Sequence, residues 1–89
     1  VANPTKFLST EIALTAANTV SNGTLVRCLN SNTSTVSTIT VADANAATIA
    51  TFTLGYIGTD ESVVYVAKRP TDTLAATGGT VKAVSVAYL

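Results

Sequence analysis

The sequence predicts a small all-β domain, a sandwich or barrel of about six mainly antiparallel strands, on three observations. Short runs of β-branched and apolar residues recur at intervals of about ten to fifteen residues, separated by clusters of Asn, Gly, Asp and Ser that favour turns. Where the pattern is clearest its period is two, with Ala50, Phe52 and Leu54 on one face and Thr51 and Thr53 on the other. Eighty-nine residues make one domain, because a second core would leave each half too small to offset the entropy of ordering it.

The elements follow in order. Residues 1–9 contain Asn3-Pro4 and carry Phe7 and Leu8 with little room for a strand, so they are expected to form an N-terminal arm ahead of a domain over 10–89. A first strand is expected over 10–15, where Ile12 and Leu14 alternate with smaller residues. Ser21-Asn22-Gly23 supplies a turn, since Asn-Gly readily takes positive φ. Strands over 24–30 and 35–41 flank the polar run Asn30-Ser31-Asn32-Thr33-Ser34-Thr35. Residues 42–47 are alanine-rich but too short to hold a helix and read as a hairpin loop.

The fourth strand spans 48–54 and a loop with glycine at Gly55 and Gly58 follows. The fifth, over 61–68, is apolar on both faces, which predicts a central strand or one covered by another subunit. Pro70 then stops the ladder by removing an amide donor. A connection is expected over 71–79, with a helical turn at 72–76, before the last strand over 80–88. There Lys82, Val84, Val86 and Tyr88 share one face, and Val81, Ala83, Ser85 and Ala87 form a second face of small residues that lets a neighbouring layer come close.

Composition narrows the function. The apolar share is 47%, but the charged share of 11% is far below the roughly 25% of an ordinary soluble domain, so Thr and Ser must cover much of the surface. Such a surface is easily buried against a neighbour. Net charge is zero and the cations Lys6, Arg27, Lys68, Arg69 and Lys82 form no stripe, so nucleic acid is not an expected partner. No apolar run approaches the roughly 18 residues that span a bilayer, and the opening residues lack the pattern of a signal peptide; a soluble chain with no membrane partner is expected. With Cys28 the single cysteine, no disulfide forms within the chain, and association with other chains becomes the expected source of added stability. Cys28 itself reads as a small buried hydrophobe.

Catalytic chemistry finds little to work with. There is no histidine, which removes Ser-His-Asp and Cys-His arrangements and the usual base near neutral pH. A Ser-Lys pair would need Lys6, Lys68 or Lys82 desolvated, and each fits better as the solvated end of a strand. Asp43, Asp60, Glu61 and Asp72 fall in or beside expected turns, where carboxylates bond local backbone; only Glu11 does not. Asp43 with Asn45, or Asp60 with Glu61, offers oxygens to calcium but matches no metal loop, and Gly78-Gly79 precedes a strand rather than a phosphate-binding helix. The glycosylation patterns at Asn22 and Asn32 are unremarkable in so Thr-rich a chain. No enzyme activity, metal or cofactor is expected.

Thr24-Leu25-Val26-Arg27, Ile39-Thr40-Val41-Ala42-Asp43, Thr51-Phe52-Thr53-Leu54, Glu61-Ser62-Val63-Val64 and the stretch Lys68-Arg69-Pro70-Thr71-Asp72-Thr73-Leu74-Ala75-Ala76 come in an order and spacing with a likeness. Together with the closing Val84-Ser85-Val86-Ala87-Tyr88, they resemble small β-rich virion proteins of tailed bacteriophages, particularly cyanobacterial and marine phages. The resemblance covers residues 24–88 and rests on strand and turn residues. It implies a structural role at the capsid surface of the virion, as a head decoration or cement protein that binds the major capsid protein in many copies, itself oligomeric or part of a multi-copy assembly. Phe7 and Leu8 of the arm, Val63 and Tyr65 of the fifth strand and Tyr88 of the last are the candidate partner-interface residues. A tail, neck or fibre position is the alternative within the virion. The alternative of another class is an adhesion or carbohydrate-binding module, for which Tyr56 and Tyr65 are the only groove candidates.

Overall fold

A computed structural model describes residues 5–59 and 62–88. It is all-β, with eight antiparallel strands in two sheets and no helix among the described residues. The larger sheet runs β1 (Thr5–Phe7), β8 (Val81–Tyr88), β3 (Leu25–Asn30), β6 (Val63–Ala67), with the short β2 (Ile12–Ala13) sharing the β1 side of β8. The smaller sheet runs β5 (Thr48–Leu54), β4 (Ser37–Ala42), β7 (Thr73–Thr77).

Alternation decides what each strand buries. Val26, Cys28 and Asn30 of β3 point inward with Val81, Ala83 and Ser85 of β8, and meet Ile39, Val41, Leu54 and Leu74 from the other sheet. Phe52 of β5 and Val64 and Val66 of β6 pack at the margin of this core. The small face of β8 is the one turned inward, as its residue sizes predict. Leu14 and Val20, between β2 and β3, close the core on one side.

Several expectations need correction. There are eight strands, because the expected arm and the expected connection each contain one. Residues 1–4 of the arm lie outside the described residues, but Thr5–Phe7 pairs with β8 in the register Thr5↔Tyr88, Lys6↔Ala87, Phe7↔Val86. A bulge of four residues, 8–11, separates this from Ile12↔Ala83; Ser85 donates its amide to Ser9 Oγ across it (3.1 Å). The bulge shortens the expected 10–15 strand to Ile12–Ala13.

No helical turn forms at 72–76. Thr73–Thr77 is β7, paired with β4 from Ala42↔Thr73 to Thr38↔Thr77. The alanines favour helix locally, but placing Leu74 and Ala76 inward and Thr73, Ala75 and Thr77 outward buries Leu74 fully, and that tertiary gain outweighs propensity. The fifth predicted strand, β6, is an edge of its sheet rather than a central strand.

The turn before β3 is built differently from the expected Asn-Gly turn. Val20, Ser21 and Asn22 all take positive φ (53°, 56°, 54°), while Gly23 is needed for space: a Cβ there would meet Ser85 Oγ at 2.5 Å. One side-chain bond and one backbone bond hold the turn, Asn18 Oδ1 accepting from the Val20 amide (2.7 Å) and Val20 O from the Gly23 amide (3.1 Å).

Candidate interaction surfaces

The registers sort the outward residues into two sheet faces. On the larger sheet, Arg27 lies opposite both Tyr65 and Val84, and Leu29 opposite Val63 and Lys82. Phe7 lies opposite Val86. Phe7, Val63 and Tyr65 therefore share one face, with Leu25, Arg27 and Leu29 half-buried between them. Phe7 is 62% exposed and Tyr65 38%, so both rings project past their strands at opposite flanks of the sheet, three strand spacings or about 14 Å apart. Leu8 starts the bulge and is also exposed. Val63 is half-buried. Tyr88 pairs with Thr5 through its backbone, and its side chain lies outside the described residues.

Among the described residues three charges lie on this face: Glu11 in the bulge, Arg27 on β3 and Lys82 on β8. Glu11 reaches Arg27 at 3.6 Å, spanning the outer side of β8, where Val84 and Val86 are buried although they point away from the core. Both partners are partly exposed, so the pair contributes under about 1 kcal/mol.

The smaller sheet presents a different surface, which sequence reading reached only at Thr51 and Thr53. Outward positions are Thr38, Thr40 and Ala42 on β4, Thr51 and Thr53 on β5, and Thr73, Ala75 and Thr77 on β7. Threonines meet across the strands at Thr38↔Thr53, Thr38↔Thr77 and Thr40↔Thr51. This face carries no charge. The signal was present in the sequence as Thr-x-Thr in two adjacent strands, but β7 had to be recognised before the array could be assembled.

The two ends of the sandwich are held by polar side chains. Asn30, fully buried, donates Nδ2 hydrogens to Thr35 O (2.9 Å) and Leu54 O (3.5 Å) and accepts at Oδ1 from the amides of Asn32 and Thr80 (both 3.1 Å). It thus joins the 31–36 loop, the end of β5 and the turn before β8. Beyond it, Val36, Tyr56 and Ile57 stand exposed, with Ile57 donating its amide to Asn32 O (2.8 Å).

At the opposite end Asp72 is buried against Arg69, taking the Arg69 amide at Oδ2 (3.2 Å) and the guanidinium at 3.2 to 3.3 Å. Burial works to raise the Asp72 carboxyl, but hydrogen bonds from the Arg69 side chain and amide, with the charges of Arg69 and Lys68, hold it below the ordinary carboxylate range. Burial lowers the Lys68 ammonium, against the opposing charge of Asp72. Asp43 closes the β4–β5 hairpin by accepting the amides of Asn45 (2.9 Å) and Ala47 (3.0 Å) at Oδ1. The turn roles predicted for Asp43 and Asp72 are those they play; Asp60 and Glu61 lie outside the described residues.

Cys28 is fully buried, and burial pushes its thiol up to about 11. Among the described residues there is no enclosed pocket and no cluster of three or more metal-ligating side chains. Tyr56 and Tyr65, the groove candidates, sit on the loop after β5 and on β6, both exposed. The described surface comprises one sheet face with aromatic flanks and one face of threonine. No family model matches the sequence, and neither does any curated protein or solved structure.

Proposed function

We propose that this chain is a structural protein of a tailed-phage virion, a head decoration or cement protein that binds the outside of the assembled capsid and bridges neighbouring major capsid subunits. The resemblance over residues 24–88 supplies the virion; the surface supplies the mode of action. The carrying observation is that this small domain presents one sheet face that is an array of threonines without charge, and a second flanked by the exposed Phe7 and Tyr65, on which Arg27 is paired with Glu11 and Lys82 stands as the further charge. Removing such surface from water costs little desolvation of charge, and aromatic side chains at the flanks are the residue types that anchor protein interfaces. Each contact with one subunit is weak. A domain touching several subunits at once gains by effective concentration and raises the cost of separating any pair.

Co-sedimentation with undecorated phage capsids, with unassembled capsid protein as control, tests this directly. Saturable binding to the assembled shell alone is the expected result, weakened about tenfold or more by Phe7→Ser with Tyr65→Ser. Absence of binding to the shell would overturn the cement role and move the protein to a tail or neck position or out of the virion.

A further inference from the structure

Three of the four sheet edges are blunted, and one is not. The β7 edge is occupied: Leu74 and Asn18 exchange both amide-to-carbonyl bonds (3.0 and 2.9 Å). The edge beyond β8 is filled by the short β1 and β2 with a bulge between them. The β6 edge is five residues long and runs into Lys68, Arg69 and Pro70, the residue types that discourage pairing. By contrast β5 is seven residues, Thr48–Leu54, without charge, glycine or proline, and no described strand pairs with its outer side.

The ladder shows which backbone groups that edge offers. Since Leu74 bonds outward to Asn18, alternation turns Thr73, Ala75 and Thr77 towards β4. Their partners Ala42, Thr40 and Thr38 face β7, so Ser37, Ile39 and Val41 face β5 and bond Leu54, Phe52 and Ala50. The amide of Asp43 bonding to Ala47 O (2.9 Å) continues the same alternation. The amides and carbonyls of Thr51 and Thr53 are thereby directed outward. A register irregularity between Val41 and Ala42 leaves Ile49 without a cross-strand partner at one end of β5, so residues 50–54 stay regular.

We propose that β5 is a self-pairing edge, joining two copies of this chain antiparallel about a two-fold axis at Phe52 into one six-stranded sheet. In that register Thr51 of each copy exchanges both backbone bonds with Thr53 of the other. Phe52 faces its own symmetry mate in the close, non-hydrogen-bonded pair, where aromatic pairs are favourable, and Ala50 lies opposite the larger Leu54. On the outer side, Thr51 meets Thr53 and the threonine face runs uninterrupted across both copies. A second copy suits this edge because the strand complements itself about that axis: Thr51 meets Thr53, the small Ala50 meets the larger Leu54, and no position of β5 brings a charge into the seam.

Sedimentation equilibrium of the full chain tests the proposal without any capsid present, so its outcome stands apart from the cement reading. The expected mass is twice the 9.0 kDa of one chain. Thr51→Pro, which removes an outward amide and leaves the β4 ladder intact, and the double variant Thr51→Lys with Thr53→Lys, which sets ammonium groups opposite each other, should both return it to one chain with unchanged circular dichroism. Should the proline variant fail to fold, the double lysine variant decides. In a Cys28→Ala background, Phe52→Cys should cross-link to a covalent dimer on mild oxidation, since facing strand residues fall within disulfide range, while Tyr65→Cys should not. A wild-type chain that stays at single mass at its highest soluble concentration, or folded edge variants that remain dimeric, would overturn the proposal.

Discussion

The two ends of the sandwich solve the same problem by opposite means. Around Asn30, loops from both sheets are held by one buried side chain whose two donors and two acceptor positions are all used. At the other end the chain turns by backbone conformation: Val20, Ser21 and Asn22 in succession, and Ala46 in the β4–β5 hairpin, all with positive φ and none of them glycine. The first end concentrates stability in a single residue. The second stores strain over several, at roughly 1 to 2 kcal/mol per left-handed residue, and relies on Asn18, Asp43 and Asp72 to hold its loops.

This contrast breaks most visibly at Asn30. Asn30→Asp keeps the shape but aims carboxyl oxygens at Thr35 O and Leu54 O, and should cost about 3 kcal/mol or more, read as a lower urea midpoint at unchanged m. Gly79 lies beside it with φ of 66°, and a Cβ there would stand 2.8 Å from Asn30 Oδ1; Gly79→Ala should lose about 2 kcal/mol in the same titration.

Acid should act at the other end. Because the folded Asp72 carboxyl is held below its unfolded value near 3.9, its contribution is fully present above that pH and is lost as pH falls through the depressed folded value. Thermal melts below about pH 4 should show this decline in the wild type and a shallower one in Asp72→Asn. The smallest effects come from relieving strain: Asn22→Gly and Ala46→Gly, both exposed, should each raise stability by about 0.5 to 1 kcal/mol. No gain from either would mean that the positive φ angles are not the cost assigned to them.

Sequence reading reached the class and the strands whose alternation is strong, such as Thr48–Leu54, and the fully buried Cys28. It fell short where a residue's role depends on a partner far away. Asn30 could have been noticed as the third inward position after Val26 and Cys28, but its four bonds come from residues between 32 and 80. β7 was hidden by alanines that favour helix until β4 is beside them, and the first strand by a bulge whose anchor, Ser85, lies 76 residues from Ser9. Of the candidate interface, Phe7, Val63 and Tyr65 do fall on one face; the threonine face needed strand order, which local pattern does not contain.

The position of β8 also governs how this chain acquires its structure. It is the strand against which β1, β2 and β3 all pair, yet it comes after every one of them in the sequence. None of those three can complete its ladder until β8 arrives, and the left-handed turn at 20–22 has no Ser85 to close against before then. Pairings of such long separation place folding in the slow, millisecond-to-second regime of all-β proteins. Formation of the larger sheet should therefore be a single late and cooperative event, with the hairpin of β4 and β5 the one sizeable unit able to form early from neighbouring sequence.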